Sequence, residues 1–126
     1  MTNSREIVER RKHKRFRTPK GLFAVLKPGY SKVGSVVDMS TKGLAFRYVD
    51  REELPNGTDM DIFMIGNGFR LGKVPVKTIA DVEVVQGTPY YSITIRRCGV
   101  QFEELPPEQK CELESFIQNH TLGEVV

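Results

Sequence analysis

Along most of this chain, apolar residues come in short runs divided by turn-forming residues. Leu22-Phe23-Ala24-Val25-Leu26 is the first clear run, and Pro28-Gly29 closes it. Ser35-Val36-Val37-Asp38 and Leu44-Ala45-Phe46-Arg47-Tyr48-Val49 follow, and the turn Met39 to Gly43 between them predicts a hairpin. After Pro55-Asn56-Gly57, the segment Asp59-Met60-Asp61-Ile62-Phe63-Met64-Ile65 opens with polar/apolar alternation, the period of a half-buried strand. On that reading Asp59 and Asp61 face solvent. Gly66-Asn67-Gly68 predicts another hairpin turn. A long strand region then runs from Phe69 to Val85, with breaks expected near Gly72 and Pro75. Gly87-Thr88-Pro89 turns the chain again, and Tyr90 to Arg96 and Gly99 to Phe102 complete the strands.

Helical periodicity is convincing only near the end. Pro106-Pro107 suits a first helical turn, where the missing N–H costs nothing, and Glu108 complements the positive end of the dipole. Leu113, Phe116, Ile117 and His120 recur at i, i+3, i+4 and i+7, which gives one apolar stripe to dock on the strands. Residues from Thr121 onward read as a frayed tail. Asn3-Ser4-Arg5-Glu6 has the form of a short helix start, with Asn3 as cap. Many short strands and a single helix predict a mainly β fold, an antiparallel barrel or sandwich.

Length and composition narrow the class. At 126 residues the chain makes one domain, and 39% apolar with 28% charged residues describes a globular rather than a disordered chain. No apolar run approaches the roughly 20 residues of a membrane span, and the N-terminus has no apolar signal core. Cys98 and Cys111 stand apart from each other and from any histidine, which fits reduced thiols in a core and a cytoplasmic address. The expected organisation is a flexible segment 1–9, a folded domain 10–120 and a tail 121–126.

The net charge of +3 is unevenly spread. Residues 1–20 carry eight Lys/Arg against two acids, and the remainder carries eleven against fourteen. Such segregation describes an anion-binding arm on a mildly acidic body. The arm holds Arg10 and the run Arg11-Lys12-His13-Lys14-Arg15, an R-x-x-x-R pattern. Guanidinium forks match phosphates and the O6/N7 edge of guanine, whereas Lys12 and Lys14 are softer point charges. Taken alone, such a run is more often a solvated face or a loose polyanion contact than a specific nucleotide site. The second signal is Asp38-Met39-Ser40-Thr41-Lys42-Gly43, a D-x-S-x-x-G turn. It reads either as an Asx/Ser-stabilised hairpin turn or as a ligand site. In the second case Asp38 accepts from guanine N1–H and N2–H₂, Ser40 supports it, and Gly43 keeps the site open.

In this order on a strand-rich chain, the two motifs resemble those of the PilZ family of bacterial cyclic di-GMP receptors. The ending Cys98-Gly99-Val100-Gln101-Phe102, leading through Glu103-Glu104-Leu105 to Pro106-Pro107-Glu108, also looks like that family's last strand and C-terminal helix. The resemblance covers roughly residues 9–119. It implies a six-stranded antiparallel β-barrel with a C-terminal helix and a basic N-terminal arm. It further implies that Arg11 and Arg15 clamp the guanines and phosphates of cyclic di-GMP. An arginine at the position of Arg10 goes in that family with an intercalated pair of ligands. No cofactor beyond the nucleotide is expected.

The expected role is a receptor and adaptor rather than an enzyme. His13 sits in a cationic run that discourages proton acceptance, His120 suits a cap or surface position, and no metal-ligand spacing, nucleophile elbow or phosphate loop is present. Residues 1–17 are expected to repel one another until the dianionic nucleotide orders them, and an unidentified downstream protein reads the changed surface. The alternative is a small barrel binding nucleic acid through its basic arm. That role usually shows aromatics on an exposed strand face, whereas the Phe and Tyr here lie mostly in apolar runs, so nucleic acid is the weaker reading.

Overall fold

The apolar runs become eight strands, and the late periodic segment one helix, among the residues that the computed structural model describes: 14–27, 32–50, 57–85 and 93–125. In chain order these are β1 (Phe16–Arg17), β2 (Leu22–Lys27), β3 (Lys32–Met39), β4 (Gly43–Val49), β5 (Asp59–Met64), β6 (Arg70–Val85), β7 (Ile95–Phe102), α1 (Pro107–His120) and β8 (Gly123–Glu124). All pairings are antiparallel. The order β2-β5-β6-β7-β4-β3 closes on itself because β3 also pairs with β2, giving a six-stranded barrel without free edges. Of the barrel and sandwich that turns and periodicity left open, this is the barrel, with the C-terminal helix that the family resemblance implied.

Alternation along the strands builds the core. On β4, Phe46 and Tyr48 point inward while Arg47 points out, and on β7 Cys98, Val100 and Phe102 point inward between Gly99 and Gln101. They meet Leu22, Leu26, Met39, Met60, Ile62 and Val74, all at most 1% exposed. Each such side chain contributes about 1.5–3 kcal/mol by leaving water. Helix α1 seals one end. Leu113, Phe116 and Ile117 are buried in the same cluster, and the Phe116 ring stacks on Phe69 at 4.1 Å between centroids. His120, the fourth member of the predicted stripe, is exposed and lies beside Phe116.

Several expectations are revised. The segment 70–85 is one strand, not a broken one. At Gly72-Lys73 it bulges opposite Asp61 instead of ending, with Lys73 at a φ of 54°. Gln109 of α1 donates to the Gly72 carbonyl at 2.7 Å, and Asp61 accepts the Lys73 N–H at 3.0 Å, so the bulge is held from both sides. Pro75, which has no N–H to offer a ladder, lies opposite Asp59 where β6 passes from β5 to β7. Asp61 therefore does not face solvent. It is 7% exposed and pairs with Lys27 at 2.9 Å and Arg70 at 3.4 Å. Burial works against its charge, but these partners outweigh it and hold its carboxyl below the usual range.

Cys98 is buried as expected, whereas Cys111 is exposed on the outer face of α1. The segment after the helix is paired rather than frayed, since β8 forms a ladder with β1. Residues 15–17, assigned from the sequence to a mobile arm, are likewise tied to β3 and to this tail. The proposed start of a helix at Asn3 and the segment 1–9 lie outside the described residues. Among the described residues no helix is long and apolar enough to cross a membrane.

Candidate functional site

The D-x-S-x-x-G turn joins β3 to β4, and its local hydrogen bonds come from its own residues. The Ser40 N–H donates to the Gly43 carbonyl at 2.8 Å, and the Ser40 hydroxyl accepts the Lys42 N–H at 3.1 Å. Just before the turn, the β3–β4 register shifts between Val36 and Asp38. The extra residue lets Val36 and Met39 both face the core, and it leaves Asp38 on the other face, opposite Arg17 of β1. A backbone irregularity thus aims the carboxylate.

What Asp38 meets there could not be read from the motif. Arg97, on the outer face of β7, donates from Nη2 to Asp38 Oδ2 at 2.8 Å. The Asp38 side chain is 7% exposed and that of Arg97 36%, so the pair sits at the wall of an open groove. The groove encloses about 520 Å³, a size ordinary for small-molecule clefts. Arg15 comes from the N-terminal side, Lys42 from the turn, and Ala45, Ala80 and Gly99, all small residues, line it from three neighbouring strands. Ile79, at a bulge in β6, and Val82 line it while remaining more than half exposed. Three cations face one carboxylate, over a partly apolar surface. That combination suits a flat anionic ligand with hydrogen-bond donors of its own.

Of the residues singled out from the sequence, Arg15, Asp38, Ser40 and Gly43 line this one groove. Arg10 and Arg11 lie outside the described residues. Gly43 is needed for a different reason from the one expected. A Cβ there would fall 2.2 Å from the Val100 carbonyl oxygen, so the glycine is needed to admit the backbone of β7. Sequence reading missed Arg97, Lys42 and Gln101. The available signal was alternation: Arg97, Gly99 and Gln101 share one face of the terminal strand, with Gly99 between the two polar residues.

A second polar cluster fills the barrel end away from α1. Tyr48 donates to Asp81 Oδ2 at 2.6 Å, Lys32 reaches the same oxygen at 3.2 Å, and Arg96 donates from Nε to Oδ1 at 2.8 Å. Arg96 also donates to the Asp81 backbone carbonyl at 2.8 Å. Burial raises the Tyr48 pKa, and the bond to Asp81 raises it further. Burial opposes the Asp81 charge, but its three donors outweigh it and hold the carboxyl low. Desolvation pushes the nearby Cys98 thiol up to about 11. Among the described residues, no group of His, Cys, Asp and Glu could hold a metal ion.

A family model described as PilZ domain matches residues 9–119. The fold is shared with the PilZ domain of YcgR from Escherichia coli, solved with c-di-GMP: TM-score 0.66, 19% identity, 88% of this chain and 91% of that one. It is shared also with the longer Escherichia coli YcgR in complex with c-di-GMP, at TM-score 0.64 and 18% identity over 86% of this chain. There the present chain spans about half, 45%, of its relative. MrkH, described as a c-di-GMP-dependent transcription regulatory factor, aligns with TM-score 0.64 and 11% identity over 86% of this chain and 50% of its own. No curated sequence matches significantly.

Proposed function

Because the chain belongs to the PilZ domain family, we propose that it is a cyclic di-GMP receptor that acts by binding rather than by catalysis. The observation that carries this reading is the groove itself, which joins Arg15 of the R-x-x-x-R run to Asp38 and Ser40 of the turn. Arg11 and Arg15 close on the ligand's phosphates and guanines from the N-terminal side. Asp38 accepts N1–H and N2–H₂ of a guanine. Arg97, freed from Asp38 by those donors, turns to O6 and N7 or to a phosphate. Ser40 keeps the turn in shape beneath them. Arg10, one residue before the run, recruits a second ligand molecule.

The signal in this proposal is a change of surface. The nucleotide orders the arginine-rich N-terminal arm and covers the cations of the groove, and a downstream protein in the cytoplasm distinguishes the two states. Ordering chain on a ligand uses part of the contact energy, so affinity is modest for the contacts made. Calorimetry with cyclic di-GMP and with a single-stranded oligonucleotide, each at two salt concentrations, tests the reading. Saturable dinucleotide binding with little oligonucleotide affinity is expected. Tight oligonucleotide binding with a steep salt slope, and none of the dinucleotide, would instead make the groove and arm a nucleic-acid surface.

A further inference from the structure

The residues after α1 form a strand pairing that their composition does not suggest, and where they go bears on the groove. Thr121 donates its hydroxyl to the Ile117 carbonyl at 2.7 Å, which ends the helix. Gly123 then takes a φ of 132°, open in practice only to glycine, and turns the chain back along β1. Its neighbours are pinned there by main-chain bonds. The Leu122 N–H donates to the Arg17 carbonyl and the Val125 N–H to the Arg15 carbonyl, both at 2.8 Å. Strand β1 is only two residues long, and its other side pairs with β3 at Met39 and Asp38. Thr18 beyond it donates to the Val36 carbonyl at 2.7 Å, so the C-terminal side of β1 is anchored to β3 by a side chain, whereas Arg15 on its N-terminal side meets the tail.

From this arrangement we infer that residues 121–125 are a clasp that positions Arg15 over the groove, so that nucleotide and clasp stabilise each other. This rests on the nucleotide reading of the groove. Arg15 is the described member of the R-x-x-x-R run, and its carbonyl is the acceptor of the last clasp bond. The clasp acts through its backbone: Leu122 is 65% exposed, so its side chain adds little. Coupling of this kind is reciprocal, because whatever the clasp adds to nucleotide affinity the nucleotide must return to the clasp. The C-terminal tail thereby becomes a part of the surface that reports occupancy.

Proline scanning separates this from simple packing. Val125→Pro deletes the N–H that holds Arg15, whereas Val125→Ala keeps it. In calorimetry on the full chain, Val125→Pro should weaken cyclic di-GMP binding about two- to tenfold, the worth of one backbone hydrogen bond. Val125→Ala should bind as wild type does, and a chain ending at His120 should lose at least as much as the proline variant. The reciprocal readout is amide exchange, in which saturating cyclic di-GMP should slow Leu122 and Val125. A purely structural tail would lower the melting temperature of the free protein without moving either. Wild-type affinity in Val125→Pro, or unchanged exchange at Leu122 and Val125 on ligand binding, would overturn the clasp while leaving the receptor intact. Failure of the wild type to bind cyclic di-GMP is a different result, and it would remove the nucleotide reading and the clasp together.

Discussion

Arg96 and Arg97 are neighbours on one strand, each paired with an aspartate at 2.8 Å, yet they do opposite work. Arg96 points into the barrel end. There its guanidinium meets both the side chain and the backbone of Asp81, and Tyr48 and Lys32 bind the same carboxylate. Both carboxylate oxygens and the backbone carbonyl of Asp81 are engaged. Arg97 points out, touches Asp38 through one nitrogen, and borders a groove with room for a ligand. Identical residue pairs thus become a structural plug on one face of the strand and, in the proposed receptor, a contact that a ligand can exchange on the other. What decides is not pair chemistry but how many further partners the fold supplies. A saturated network rigidifies its surroundings, whereas a single bond at an open wall can be traded for a ligand's.

The largest expected effect breaks the saturated side. Asp81→Ala removes the carboxylate that Tyr48, Lys32 and Arg96 share, and it should cost about 2–4 kcal/mol, less than a fully buried pair because the side chain is 22% exposed. Thermal denaturation should show a melting temperature lower by on the order of 10 °C. On the exchangeable side, Arg15→Ala, and likewise Arg11→Ala, should weaken cyclic di-GMP binding by about 1.5–3 kcal/mol, measured by calorimetry, because a charge-assisted fork is lost. Neither should shift the melting temperature of the free protein appreciably. A smaller change is expected for Arg97→Gln, about 1 kcal/mol of stability, since a single hydrogen bond to Asp38 is at stake and the glutamine amide can still donate one. If Arg97→Gln melted as low as Asp81→Ala, the contrast between the two faces would disappear.

Acid titration of stability sharpens the same contrast. Asp81 and Asp61 are held low in the folded protein. A depressed carboxyl contributes its full stabilisation above the unfolded value of about 3.9 and loses it as pH falls through the folded one. Denaturant midpoints should therefore drop below about pH 4, and less steeply in a folded Asp81→Asn variant. At the other extreme, Tyr48 is raised in the folded state, so its contribution is present below the unfolded value of about 10 and fades as pH rises beyond it.

How much of this was legible in the sequence depended on the range of the signal. The β3–β4 hairpin, the β5–β6 turn and the apolar stripe of α1 depend on local chemistry, and they stand where turn residues and periodicity put them. The misreadings all involve partners far along the chain. Asp61 looked solvent-facing by alternation, but β6 bulges over it and Lys27 reaches it from β2. Gly43 does line the groove, but the close approach it makes possible is that of the Val100 carbonyl of β7, which its motif does not show. β8 carries no strand signature because its pairing is wholly with the backbone of β1. For the candidate site, the motifs singled out Arg15, Asp38, Ser40 and Gly43, which line the groove, while Arg97 became visible only once β7 lay beside β4, two strands away from Asp38.

The central claim, that the groove reads guanine through Asp38, is tested most directly by titrating wild type and Asp38→Ala with cyclic di-GMP and with cyclic di-AMP. A melting curve of each protein confirms that the variant is folded. Removing a negative charge would tighten any site that attracts phosphate alone. A guanine-edge acceptor demands the reverse, because adenine lacks the N1–H donor that Asp38 would bind. The account predicts a cyclic di-GMP affinity lowered about tenfold or more in Asp38→Ala, with cyclic di-AMP binding little changed and discrimination between the two largely lost. Unchanged or tighter cyclic di-GMP binding by the folded variant would contradict it.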